Sequence, residues 1–192
     1  MTRLDLVVGP NGAGKSTFVR LVVAPERTGA VFVNVDVIAA ERWPEAQLEH
    51  AYEAAELARR TREQLIVLRR PFIAETVFSH PSKLDLMDAA TAAGFYVALH
   101  VLMVPEDLAV ARVARRHAQG GHDVPVDKIR GRYQRLWTTV VSAVPRSNVA
   151  TFWDNSGRDG PLQVAHFIAG LPAGPPQWPT WAPAELTARW PR

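Results

Sequence analysis

The chain has 192 residues, 47% of them hydrophobic and 21% charged, a composition that suits one globular domain with a substantial core. It has no cysteine, which excludes a disulfide framework, thiolate catalysis and a cysteine-ligated metal; oxygen ligands or some of the six histidines are left for any catalytic metal, with Mg²⁺ the natural candidate. The formal net charge of +3 is too small to demand nucleic acid, and with no apolar run of about 18 residues and no secretory leader pattern, the expectation is a cytoplasmic protein with no membrane partner.

In chain order, residues 4–8 and 30–35 are short apolar runs, the first ending at Gly9 and the second, after the turn-prone Thr28-Gly29, at Asp36. Both predict buried strands. Pro71 breaks the next segment, after which residues 72–74 predict a third strand ending at Glu75; residues 96–104 and 150–153 predict a fourth and a fifth. Helical stretches fall between them at 16–23, 45–68, 81–93 (closed by Gly94), 105–119 and 125–144. Alternation of this kind predicts an α/β fold, a five-stranded parallel sheet with helices on both faces.

Two helices have readable faces. In the last, Ile129, Tyr133, Leu136, Trp137 and Val140 recur at helical spacing as a core stripe, leaving Arg130, Arg132 and Arg135 off it. In the one before, Val110, Val113 and Ala114 point one way, and Arg112, Arg115 and Arg116 cluster on the other side. Between the helices Gly120-Gly121-His122-Asp123-Val124-Pro125 is a flexible joint, so the span of about 106–135 is expected to be an arginine-rich helical lid; the alternative is a solvated basic face. From Pro172 onward six of the 15 prolines and three of the six tryptophans crowd together without apolar periodicity. Residues 172–192 are therefore expected to be a tail beside a domain of residues 1–171, either an arm laid across the body or an interaction segment.

Gly9-Pro10-Asn11-Gly12-Ala13-Gly14-Lys15-Ser16, followed by Thr17, satisfies the phosphate-binding pattern G-x-x-x-x-G-K-[ST] between a strand and a helix, which places the chain in the P-loop NTPase fold. The glycines let backbone N–H groups approach the phosphate oxygens of ATP or GTP, and the helix N-terminus adds its positive dipole end. Lys15 would reach the β- and γ-phosphates, and the Ser16 hydroxyl would ligate Mg²⁺.

Loops at the carboxyl ends of the strands converge on this site. Asp36 can take a proton from an acceptor hydroxyl or hold the metal's water, and it can also simply cap the short helix after it. Glu75 stands near the metal or binds the acceptor; Ser79 either contacts the acceptor or caps the following helix. Asp154-Asn155-Ser156-Gly157 is turn chemistry where a nucleotide base is often held, or only a turn. Guanidinium groups of the lid would neutralise charge developing on the γ-phosphoryl.

Taken in order, residues 9–17, Asn34-Val35-Asp36, Glu75-Thr76-Val77-Phe78-Ser79, the Gly120–Pro125 joint with Ile129-Arg130 and Tyr133, and Asp154-Asn155-Ser156 resemble the zeta-toxin family, in particular its short members. The resemblance covers about residues 4–157 and implies a small P-loop kinase, akin to those that phosphorylate the 3′-hydroxyl of UDP-N-acetylglucosamine. It implies Lys15 and the P-loop on the nucleotide, Asp36 as the base, Glu75 with Thr76 on the acceptor, and Arg112, Arg116 and Arg130 on the phosphates, with an antitoxin protein as a partner. Two departures stand out. Asn34-Val35-Asp36-Val37-Ile38-Ala39 lacks the arginine that longer members show three residues after the aspartate, and the chain is too short for their extra substrate-binding helices. A polynucleotide or nucleoside kinase and a nucleotide-dependent binding module are the competing readings.

Overall fold

The computed structural model describes residues 1–118 and 124–192. Strand β1 (Arg3–Val8) leads through the P-loop into α1 (Lys15–Phe18), which continues as a π-helical turn to Val23; then come β2 (Val31–Val33), α2 (Val35–Arg42), α3 (Ala51–Val67), β3 (Phe72–Thr76), α4 (Ser82–Ala92) and β4 (Tyr96–Met103). The second half runs α5 (Glu106–Ala118), α6 (Val126–Ala143), β5 (Val149–Asp154), β6 (Leu162–Ile168), β7 (Leu171–Pro172) and α7 (Ala184–Arg189).

The sheet has seven strands in the order β2-β3-β1-β4-β5-β6-β7, not five. The five expected strands are all present and parallel, while β6 and β7 add on antiparallel beyond β5. They escaped the sequence reading because β6 exposes Leu162, Gln163 and Ile168 and so lacks the continuous apolar run of a buried strand. Alternation along β1 sends Leu4, Leu6 and Val8 to one face, packed with residues of α3, α4, α6 and α7, and Val7 to the other, packed with Phe18 and Ala109. Chain order reverses direction across β1, with β3 on one side and β4 on the other, and in open α/β sheets ligands bind in the crevice at such a switch.

Residues 172–192 lie on the sheet. Trp178, Leu186 and Trp190 are buried within the larger core cluster, where Trp178 meets Phe152 edge-on at 5.2 Å and Trp190 tilts against Phe167 at 4.7 Å. The Trp178 Nε1–H donates to the Trp190 carbonyl at 2.7 Å.

One buried charge sits in β1. The Asp5 side chain, 2% exposed, accepts from Arg3 Nε at 2.9 Å, Arg27 Nε at 3.0 Å and His100 Nε2 at 3.0 Å. Burial pushes its carboxyl up, but the bonds from His100 and Arg3 outweigh that and bring it down to about 2.

Candidate active site

The P-loop turns back on itself after β1. Gly12 and Gly14 have φ of 75° and 85°; a Cβ on Gly12 would stand 2.6 Å from the Ala109 carbonyl oxygen, and one on Gly14 would stand 2.7 Å from Asn155 Nδ2. Only glycine fits such positions without strain. Lys15 opens α1 with its side chain folded inward, Nζ donating to the Pro10 carbonyl at 2.9 Å. Burial pushes this ammonium below the ordinary lysine value, against the pull of the Glu75 and Asp36 carboxylates.

One residue, to which the sequence reading assigned no site role, bonds both the Glu75 carboxylate and the backbone of Asp36. Asn34 Oδ1 accepts from the backbone N–H of Asp36 at 2.7 Å and of Val37 at 3.1 Å, capping α2, while Asn34 Nδ2 donates to Glu75 Oε2 at 2.7 Å. The expectation that Asp36 ends the second strand or caps the next helix is thereby corrected: β2 stops at Val33, Asn34 is the cap, and Asp36 lies exposed in the first turn of α2. Asparagine is a preferred N-cap residue, and that was the signal available. Glu75 is likewise inside β3 and buried, not in the loop after it.

A cavity of about 610 Å³ opens over these groups. Its lining brings together Asn11, Gly12, Gly14, Lys15, Ser16, Thr17, Asp36, Glu75, Thr76, Ser79, Arg112 and Arg116 from the expected set, and adds Asn34, Phe78, His80, Lys83 and Arg132. Gly9, Pro10 and Ala13 of the loop are not among the described residues that line the cavity. Phe78, buried with φ of 65°, turns the chain beneath the cavity; a bulky residue in that conformation is rare and marks local backbone strain. Ser79 does not cap α4, whose first N–H donates to His80 Nδ1 at 3.2 Å.

Three expected contacts fall elsewhere. Arg130 donates to Glu106 Oε1 at 3.1 Å and Asp107 Oδ1 at 2.8 Å, which ties α6 to the first turn of α5, and Arg132 takes the position at the cavity. Asp154 Oδ1 accepts from the Ser156 N–H at 2.9 Å in a local turn. Asn155 props the P-loop: Nδ2 donates to the Ala13 carbonyl at 2.8 Å, and its own carbonyl accepts from Arg112 Nη1 at 3.0 Å. Neither Asp154 nor Asn155 is among the described residues that line the cavity. The expected hinge at Gly120-Gly121-His122-Asp123 lies outside the described residues.

The oxygen donors present fit Mg²⁺. The Ser16 hydroxyl and two carboxylates face one cavity, and among the described residues no group of three His, Asp or Glu side chains would hold a metal by itself. Such a donor set suits an ion that arrives with phosphate oxygens and water.

The AAA domain family matches residues 4–141. No curated protein matches the chain. Among solved structures, one of the AvrRxo1-ORF1:-ORF2 complex superposes with a TM-score of 0.72 at 16% identity, covering 90% of this chain and 60% of that one. Another of the same complex, with ATP, gives 0.69 at 16% with the same coverage. A structure from the PezAT chromosomal toxin-antitoxin system of Streptococcus pneumoniae gives 0.67 at 14%, covering 86% of this chain and 72% of that one. At these identities the likeness is one of fold, and this chain spans 60% of the length of the AvrRxo1 chain that it matches.

Proposed function

The chain belongs to the AAA domain family, and on that premise we propose that it is a kinase that transfers the γ-phosphoryl of ATP or GTP to a hydroxyl of a small acceptor. One observation carries the reading: a single cavity holds the buried Lys15 ammonium at the P-loop together with the two carboxylates, Glu75 and Asp36, whose charges it feels. A carboxylate that shares the P-loop cavity and has no side-chain partner of its own among the described residues can take the proton of an incoming hydroxyl.

Backbone N–H groups of the P-loop and Lys15 bind the β- and γ-phosphates. Ser16 would hold Mg²⁺, which supplies charge neutralisation across those oxygens when bound. The Asp36 carboxylate, free of side-chain partners among the described residues and exposed in the cavity, takes the acceptor's proton. The acceptor oxygen forms its bond to the γ-phosphorus as the bridging P–O bond breaks and the nucleoside diphosphate leaves. Glu75, held by Asn34, orients the acceptor with Thr76 and Ser79, while Arg112, Arg116 and Arg132 balance the phosphate charge. Arg130 contributes by fixing α6 against α5.

The finer reading, a zeta-toxin-like enzyme acting on a UDP-sugar such as UDP-N-acetylglucosamine and restrained by an antitoxin, rests on the sequence resemblance. The PezAT likeness in fold accords with it. Residues 1–171 are the kinase domain in this reading, and residues 172–192 are an arm that closes its core.

Incubation with Mg-ATP and a panel of UDP-sugars, free sugars and a 5′-hydroxyl oligonucleotide, followed by mass spectrometry, tests it. A gain of one phosphate on a small acceptor, lost by about 100-fold or more in Asp36→Asn with nucleotide affinity retained, is the expected result. ADP release at the same rate in buffer alone contradicts the reading, and transfer to the oligonucleotide only replaces it with a polynucleotide kinase.

A further inference from the structure

His80 and Ser82 pair a base with a hydroxyl at the edge of the cavity. Ser82 Oγ lies 2.8 Å from His80 Nδ1, and the Ser82 backbone N–H donates to the same nitrogen at 3.2 Å. A backbone N–H can only donate, so Nδ1 presents its lone pair, and the hydroxyl must donate to it too. Capping α4 needs only the N–H bond; the second bond aims a serine O–H at an imidazole, the arrangement that activates a nucleophile. Ser79, His80 and Lys83 line the cavity that also holds Lys15 and Ser16. Ser82 is exposed between His80 and Lys83, which places it at the rim of the phosphate cavity. Transfer to a small acceptor, served by Asp36, makes no use of this pair.

We propose that Ser82 is a self-phosphorylation site, a protein hydroxyl that receives the γ-phosphoryl when no small acceptor is bound, with His80 as its base. This rests on the kinase reading and adds a second acceptor to it. Ser82 Oγ bonds to the γ-phosphorus as its proton passes to His80 Nδ1. The bond from that phosphorus to the bridging oxygen breaks, and the nucleoside diphosphate leaves with the electron pair. The product lies in the first turn of α4, where the positive end of the helix dipole favours an anion, with Lys83 next to it in the chain. Two hydroxyls thus compete for one phosphoryl group, each with its own base.

The full chain, cleared of earlier modification with phosphatase and repurified, is incubated with Mg-ATP and no acceptor, then digested and mapped by mass spectrometry. One phosphate is expected on Ser82, none at that position in Ser82→Ala, and one on the replacement hydroxyl in Ser82→Thr. His80→Gln should slow the transfer about 100-fold with Mg-ATP affinity kept, whereas Asp36→Asn should leave it largely unchanged. An unmodified Ser82 in a parent that binds Mg-ATP overturns the proposal and leaves the kinase reading standing, as does phosphate on another residue with Ser82 bare. Equal rates in the parent and His80→Gln, or a loss in Asp36→Asn as deep as in His80→Gln, overturn the pairing of base and hydroxyl. A parent that binds no Mg-ATP refutes the kinase reading beneath it.

Discussion

Asn155→Ala separates two roles for one side chain. The sequence suggested a contact with the nucleotide base, whereas the structure turns the amide toward the Ala13 carbonyl at 2.8 Å, and Ala13 is fully buried. Truncation leaves that carbonyl without its side-chain donor but spares the backbone bond from Asn155 N–H to the Met103 carbonyl at 2.9 Å. Orphaning a buried acceptor costs about 1–3 kcal/mol, so a loss near 1.5 kcal/mol is expected. For a chain of this size that lowers Tm by about 3–6 °C. The loosened loop should bind ATP, GTP and tripolyphosphate more weakly by a similar factor, about fivefold if roughly 1 kcal/mol of the loss falls on loop order. Differential scanning fluorimetry and three parallel titrations check this. A changed ATP-to-GTP preference with tripolyphosphate affinity and Tm intact would falsify the brace and restore the base contact.

The remaining tests address cap, charge and core. Asn34→Ala removes the α2 cap and the donor to Glu75, so chemical unfolding should show a loss of about 1–2 kcal/mol, with phosphoryl transfer reduced more than nucleotide binding. Asp5 has a folded pKa lowered to about 2, so its contribution is fully present above an unfolded value near 4 and is lost as pH falls through about 2. Asp5→Asn should therefore destabilise by about 2 kcal/mol at pH 7, and the gap from the parent should close between about pH 4 and pH 2 in a melting series. A gap of constant size would contradict it. Trp190→Ala empties a site between Phe152 and Phe167, and urea denaturation should register a loss of about 3–5 kcal/mol.

Parallel strands buried on both faces were legible because their residues are mostly apolar, with Asp5 of β1 and Glu75 of β3 as buried exceptions, and the P-loop because its glycines, lysine and serine have fixed places. What sequence could not show was direction in space. The helical spacing put Arg130 and Arg132 together off the core stripe, but which of them turns to the cavity depends on the acidic first turn of α5, which claims Arg130. Asn34 was legible as part of the Asn34-Val35-Asp36 motif but with no role of its own, and its double role appears only once β3 carries Glu75 alongside it. The proline- and tryptophan-rich segment has no periodicity because it packs as an arm whose Trp178 and Trp190 meet aromatic residues of β5 and β6.

The rims of the sheet are stubs. At one side stands β2, three residues long, and at the other β7, two residues long and ending in Pro172, which has no N–H to offer. Neither presents enough unpaired backbone to template an incoming strand. A protein that docks here must therefore read side chains rather than extend the ladder, and the molecule is guarded against edge-to-edge self-association even though Ile168 and Leu171 lie exposed beside that rim.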